Sequence, residues 1–462
     1  MTHYDQPGGL SRRRFLQGVL AGGALAASCE LGGRGSGRPP NLLVLVADDQ
    51  RADSTGFGGG PVATPNLDAL AAESAVFDNA FVTTSVCACS RASLFSGQPL
   101  RRHGIRHFGA PFTPSALARS YPGALRSAGY HTGFIGKWGL GGALPEDAFD
   151  VFDGFPRQGS YFQEIDGEQR HLTGMLADAA VEFIEQAPAN RPFCLSLSFK
   201  APHGPWDEHA PELAGAFREL EIELPASASL EAADRLPAFL QRSLGAEAGR
   251  RWVAEPDRLR AHIRNYYRLV AGIDLAVGTL REALARHGAS DDTAILYTSD
   301  NGLLMGEHGL IGKWLMFEES IRVPMLLHLP GQEPRRISQP VLNIDVAPTL
   351  LDLAGLDVGD LMQGRSIAGL ARGEPAGAWR EDWLYEHDLD PGAGYLPRIE
   401  GVRTDRWKYV RYLDPASNAE SLFDLAADPL ELDDLAGAPL HQDVLERLRA
   451  RWGQLRTQVG PS

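Results

Sequence analysis

Two stretches of this chain end alike. Asn41-Leu42-Leu43-Val44-Leu45-Val46 is an unbroken apolar run with Asp48 and Asp49 just beyond it. Thr293-Ala294-Ile295-Leu296-Tyr297-Thr298 is a second buried-looking run, and it delivers Asp300 and Asn301. Apolar runs without polar alternation are the mark of strands buried on both faces, as in parallel sheets covered by helices. Acid groups at the C-terminal ends of such strands stand where open α/β sheets place their ligands. Alone, Asp300-Asn301-Gly302 reads as a turn and Asp48-Asp49 as a solvated cap. Their repetition favours a hard-metal site built from Asp48, Asp49, Asp300 and Asn301, with calcium, which takes roughly six to eight oxygens, the natural occupant.

The intervening chain keeps a strand–helix rhythm. Helices are expected over 66–74, 116–128, 172–186, 257–287 and 345–354, and strands over 130–136, 192–199 and 323–329. The Ala-, Leu- and Glu-rich stretch 211–255 reads as surface helices inserted near the site. The fold class is therefore α/β, with a large mixed, mostly parallel sheet covered by helices. Gly, Ala, Pro and Arg become dense near 369–377, a candidate boundary. Beyond it, short runs at 383–386, 401–404, 408–413 and 421–424 and a helix over 440–459 read as a small antiparallel sheet packed with one helix. The expected division is 1–40 as signal and tether, 41–372 as the catalytic domain and 373–462 as a small α+β subdomain.

Within Cys87-Ala88-Cys89-Ser90-Arg91-Ala92-Ser93-Leu94-Phe95-Ser96-Gly97, a cysteine precedes an arginine by one helical turn. An oxyanion at the mouth of this helix would meet a guanidinium fork and free backbone N–H groups together. The stretch reads equally well as a small buried cysteine ahead of an ordinary helix. Further cations follow core strands: Lys137 in Lys137-Trp138-Gly139, His203 in Pro202-His203-Gly204-Pro205, and Lys313 in Gly312-Lys313-Trp314. With Arg91 they would complete an anion pocket. Net charge is −15, which argues against nucleic acid or an acidic membrane as partner. An anionic substrate must then be captured locally. The four cysteines, Cys29, Cys87, Cys89 and Cys194, form no disulfide framework, and no Cys/His set completes a zinc site.

The N-terminus, Ser11-Arg12-Arg13-Arg14-Phe15-Leu16 followed by the weakly apolar run 19–27, resembles a twin-arginine export signal. Ala26-Ala27-Ser28-Cys29 resembles a lipoprotein cleavage box. Export through the Tat machinery to the periplasm or cell surface is expected, with membrane attachment only through lipid on Cys29.

The Cys87 stretch resembles the signature of the type I sulfatases, C-x-P-S-R-x-x-x-x-[ST]-G. Cys87, Ser90, Arg91, Ser96 and Gly97 match, and Cys89 stands at the proline position. The resemblance runs from Asn41 to about Asp434. Asp48-Asp49 and Asp300-Asn301 match the family's metal pairs, and Lys137, His203 and Lys313 fall in its conserved segments. Leu422-Phe423-Asp424-Leu425 with Asp428-Pro429 is similar to its C-terminal region. The resemblance implies an alkaline-phosphatase-like fold, calcium in preference to magnesium, and a maturase that oxidises Cys87 to Cα-formylglycine, whose hydrate is the nucleophile. It implies hydrolysis of sulfate monoesters of glycans or aryl alcohols, with Asp300 assisting deprotonation of the hydrate. Arg91, Lys137 and Lys313 would stabilise charge, and His203 or Lys313 would protonate the leaving alcohol. The family usually has histidine where this chain has Gly139, and His308 is the candidate substitute. Phosphonate monoester or phosphodiester hydrolysis, and non-catalytic carbohydrate binding, are the alternative functions.

Overall fold

The computed structural model describes residues 38–389, 394–413 and 419–460. The export motif and Cys29 lie outside them. Among the described residues no helix is long and apolar enough to cross a membrane.

Eight strands form the central sheet: β1 (Asn41–Asp48), β2 (Ala75–Phe77), β3 (His131–Lys137), β4 (Val151–Phe155), β5 (Phe193–Pro202), β6 (Thr293–Ser299), β7 (Met325–His328) and β8 (Arg335–Ile337). Their order is β8-β2-β7-β6-β1-β5-β3-β4. All pairings are parallel except those of β7, which runs against both β2 and β6. The two acid-bearing strands are thus direct neighbours at the centre, with Ala47 opposite Ser299.

Both faces of β1 are buried, as its unbroken apolar run requires. Leu42, Val44 and Val46 enter one core, and Leu43, Leu45 and Ala47 enter the other. Helices α2 (Leu172–Gln186) and α3 (Pro256–His287) cover the second face. The first is covered in part by α1 (Cys87–Ser96) and α4 (Val346–Leu353). No side chain caps α1; Gly97, at φ +65°, closes it. So short a helix takes its stability from packing. Phe95 stacks on Tyr121 at 5.5 Å and meets Trp138 at 5.2 Å.

The helix expected over 116–128 is two helices, Pro114–Ala118 and Tyr121–Ser127. Pro122 has no N–H to continue the first and instead fits the opening turn of the second. The insertion at 211–255 contains only two short α-helices, Leu230–Arg235 and Leu244–Val253, among turns interrupted by prolines. The second packs closely on a small hairpin, Leu304–Met305 with Ile311–Gly312, whose exit carries Lys313. A methyl at Gly249 would fall 2.1 Å from the Gly309 carbonyl oxygen.

A four-stranded antiparallel sheet follows: β9 (Asp382–His387), β10 (Ile399–Thr404), β11 (Trp407–Tyr412) and β12 (Glu420–Asp424), with α5 (Gln442–Val459) against it. Lys408, fully buried, joins it to the rest of the chain through Glu318 (2.8 Å) and pairs within the C-terminal region with Glu431 (2.6 Å). Tyr385 on β9 reaches further. Its hydroxyl lies 2.6 Å from Ser85 Oγ and donates to the Trp314 carbonyl at 2.8 Å. Those residues flank Cys87 and Lys313, so the C-terminal sheet braces both loops.

Candidate active site

The ends of β1 and β6 are stitched together before any ligand is considered. Asp300 N donates to the Ala47 carbonyl at 3.0 Å. Asp49 N donates to Asp300 Oδ1 at 3.1 Å, and Gln50 N to Ser299 Oγ at 2.9 Å. Asp49 sits at φ +67°, a left-handed conformation that aspartate tolerates better than most residues. Tyr266 of α3 secures the turn by donating to the Asp49 carbonyl at 2.9 Å.

Nine sequence-predicted residues converge here. Asp48, Asp49, Asp300, Asn301, Cys87, Arg91, Lys137 and Lys313 are all buried, and His203 is half-buried. Lys137 Nζ pairs with Asp48 Oδ2, and Lys313 Nζ with Asp49 Oδ1. Lys313 Nζ also lies 3.1 Å from Cys87 Sγ. Arg91 Nε donates to Asp300 Oδ2 at 2.9 Å, and Asn301 Nδ2 to Asp49 Oδ1 at 2.6 Å. His203 Nε2 lies 3.6 Å from Asp49 Oδ2, and its Nδ1 donates to the Gly204 carbonyl at 2.9 Å.

The donors suit a hard cation. Asp48 Oδ1 and Asn301 Oδ1 are buried oxygens without a hydrogen-bond partner among the described residues. Ligand atoms of Asp48, Asp49 and His203 lie within 4.8 Å of one another, as do those of Asp48, Cys87 and Asp300. Three carboxylates and an amide oxygen in one buried patch fit a divalent metal that prefers oxygen. Cys87 as a thiol does not belong to that set. Burial, outweighing Lys137 and Lys313, raises its pKa, so it carries its proton at neutral pH.

The carboxylates divide. Burial opposes ionisation of Asp48, but Lys137, His203 and Arg91 together hold its pKa well below the ordinary range. Burial and the neighbouring Asp48 push Asp300 up to about 6. Burial lowers His203 despite Asp49 and Asp48 beside it. Asp49, followed by Cys87, keeps Lys313 charged against the cost of burial.

Cys89 stands apart from this cluster. It packs with Val86, Leu100, Leu389 and Leu396, and burial, then Cys87, raises its thiol to about 12. His308, the candidate substitute for the family histidine, packs on an aromatic ring. At φ +56° the hairpin turns its ring onto Phe317, 4.1 Å away. Burial and then Lys408, a residue of the C-terminal sheet, bring its pKa to about 4. Position 139 also differs from expectation. The sequence suggests an empty place in the polar shell, but Arg91 packs there: a methyl on Gly139 would lie 2.6 Å from Arg91 Cδ.

Several contributors carry no sequence signal. Ser198 accepts from Arg91, Asn343 Nδ2 donates to Ser90 Oγ at 2.8 Å, and Tyr266 and Tyr385 fix loops distant in the chain.

A central parallel sheet that delivers buried carboxylates into a cluster of cations defines a hydrolase acting on oxyanion esters. Comparison with known proteins makes this specific. Residues 40–356 match the sulfatase family, and residues 306–458 match N-sulphoglucosamine sulphohydrolase, C-terminal. The choline-sulfatase of Rhizobium meliloti is 31% identical, with 87% of this chain and 83% of that protein aligned. The N-acetylglucosamine-6-O-sulfatase of Bacteroides thetaiotaomicron is 28% identical over 89% of this chain and 85% of its own. A solved structure in complex with its substrate, D-glucosamine-2-N,6-O-disulfate, superposes with a TM-score of 0.78 at 25% identity, covering 92% of this chain and 98% of that one. The phosphonate monoester hydrolase of Agrobacterium radiobacter shares the fold, with a TM-score of 0.75 at 24% identity over 91% and 96% of the two chains. The chain belongs to the sulfatase family, with the alkaline-phosphatase-like fold, and is a sulfate ester hydrolase.

Proposed function

We propose that this sulfatase removes O-sulfate from a glycan, using Cys87 after its oxidation to formylglycine and a calcium ion held by Asp48, Asp49, Asp300 and Asn301. The observation that carries the proposal is the position of Cys87: its Sγ lies 3.1 Å from Lys313 Nζ and shares a buried cluster with Asp48 and Asp300. A protonated thiol there is a poor nucleophile and a poor neighbour for a hard cation. Formylglycine would supply a hydrate oxygen as nucleophile, and the metal would supply Lewis-acid stabilisation of the sulfate oxygens.

The chain's own groups do the rest. Arg91, Lys137 and Lys313 place fixed positive charge around the equatorial oxygens of the reacting sulfate, where preorganised charge lowers the barrier most. Their carboxylate partners hold them in place. Lys313, held charged by Asp49, and His203, the most exposed of the cluster, are the candidates to protonate the departing alcohol; His203 serves only when its Nε2 carries a proton, whereas Lys313 is protonated throughout. Asp300, held by Arg91 Nε at 2.9 Å and sharing the buried cluster with Cys87, is placed to take a proton from the nucleophile.

Support for a glycan comes from the likeness to the N-acetylglucosamine-6-O-sulfatase and to the structure holding a glucosamine disulfate. The twin-arginine motif at Ser11–Leu16 supports export to the periplasm or cell surface, and Cys29 a lipid anchor there. A maturase that tolerates Cys89 at the proline position is then a required partner.

The test is turnover on matched substrates: N-acetylglucosamine 6-sulfate, choline sulfate, p-nitrophenyl sulfate, p-nitrophenyl phosphate and a phenyl phosphonate monoester. The proposal predicts the highest kcat/KM on the sugar sulfate. A preference for the phosphonate would reject sulfate hydrolysis as the main activity, and a preference for choline sulfate would reject the glycan.

A further inference from the structure

Most of the Arg91 guanidinium is committed to the protein. Nε donates to Asp300 Oδ2 at 2.9 Å. Nη1 donates both to the Lys137 carbonyl at 3.0 Å and to Ser198 Oγ. A guanidinium presents its donors in a rigid planar fork, so fixing Nε and Nη1 fixes the direction of Nη2. Nη2 has no hydrogen-bond partner among the described residues, and it lies 3.9 Å from Asp48 Oδ2. It is the one guanidinium nitrogen left to meet an anion.

Ser198 has little else to do. It lies on β5, buried, with Ser196 one residue pair earlier on the same face. Ser196 Oγ is satisfied by the Tyr121 hydroxyl at 2.7 Å. Beside these groups is a cavity of about 20 Å³ lined by Arg91, Ser196, Ser198 and Tyr121 and by apolar side chains that include Val46 and Phe95. Its volume is about that of a single water, and its walls are mostly apolar, with Arg91 and the two serines as their polar edge.

We infer that Ser198 is a positioning residue for sulfate hydrolysis: its hydroxyl occupies Nη1 and thereby aims Nη2 alone at the bound oxyanion. The inference rests on the sulfatase activity proposed above. The geometry also ranks substitutions. Ser198→Thr keeps the hydroxyl, and the cavity can receive its methyl. Ser198→Ala opens space in which a water can replace the lost oxygen. Ser198→Val removes the hydroxyl and fills that space with a methyl that cannot accept a hydrogen bond.

The experiment uses the full mature chain. It measures thermal unfolding, calorimetric Kd for inorganic sulfate and for inorganic phosphate, and kcat and KM on p-nitrophenyl sulfate. Sulfate affinity and kcat/KM should fall in the order Thr, Ala, Val, by about tenfold for Ala and about 100-fold for Val, the scale of hydrogen bonds to a charged group. The Val variant should unfold no earlier than the Ala variant, because valine suits a buried strand. A packing role for Ser198 predicts the reverse order of activity, with Val at or above Ala. A folded Val variant that keeps sulfate affinity and kcat/KM within about twofold of wild type overturns the inference. If wild type binds phosphate and hydrolyses no sulfate ester, the proposed function fails and the same ranking is read on phosphate. Failure of wild type to bind either anion overturns the inference itself.

Discussion

Gly139 offers the sharpest test of how Arg91 is held. Its φ is +71°, and a methyl there would sit 2.6 Å from Arg91 Cδ and 3.0 Å from Nε. Gly104 has the same φ of +71° with nothing within 4 Å of its missing methyl. The pair separates backbone strain from steric displacement. Left-handed strain alone costs roughly 1–2 kcal/mol, the loss expected for Gly104→Ala, with turnover retained. Gly139→Ala adds overpacking of about 1–3 kcal/mol. Arg91 is the group that must yield, giving up its bond to Asp300. A shift of about 1 Å in a positioning cation can cost about 100-fold in rate. Gly139→Ala should therefore lose about 2–5 kcal/mol in urea unfolding and about 100-fold in kcat/KM on p-nitrophenyl sulfate. Gly139→His should be worse and should not supply the family histidine. Equal turnover by the Gly104 and Gly139 alanine variants would refute this account of Arg91, and a gain from Gly139→His would restore the idea of an empty place.

Chelation of the purified enzyme should abolish turnover and lower the unfolding temperature, with recovery on adding calcium; Asp48→Ala and Asp300→Ala should mimic the loss permanently, and activity surviving dialysis in either variant would remove the metal from the account. Lys408→Met leaves Glu431 without its buried partner and Glu318 with Arg403 alone, and should cost about 3–5 kcal/mol in denaturant unfolding, while a neutral result would show that this junction is not electrostatic. His308 is held neutral, with its pKa lowered from 6.5 to about 4 by burial and then Lys408. Its contribution is therefore present above pH 6.5, is lost as pH falls through about 4, and is worth about 3 kcal/mol. His308→Gln should flatten that part of the pH–stability curve and leave turnover at neutral pH intact; a slow sulfate-release step in the variant would return His308 to the mechanism.

The central architecture was legible because β1 and β6 are buried on both faces and so cannot disguise their composition. Their unbroken apolar runs located the sheet centre, and the acids beyond them located the site. Cys87, Lys137, His203 and Lys313 were legible as motif positions. What the chain concealed depends on which way side chains fold back. Gly139 looked like a vacancy because spacing does not reveal that Arg91 lies across it. His308 stands five residues before Lys313, yet the hairpin turns the two to different surroundings. Ser198 is one more serine in a strand until the cation it receives is known. Tyr385 meets Ser85 across 300 positions of sequence, and no local pattern encodes that contact. The break before Pro122 is the exception: it is readable from proline chemistry, because proline has no N–H to continue the preceding turn.

The most direct measurement is mass spectrometry of the peptide ending at Arg91, taken from enzyme that turns over a sulfate ester. The account predicts that Cys87 has lost its sulfur and become formylglycine, while Cys89, buried among leucines, keeps its thiol. Active enzyme with both thiols intact, or with conversion at Cys89 in place of Cys87, would contradict it.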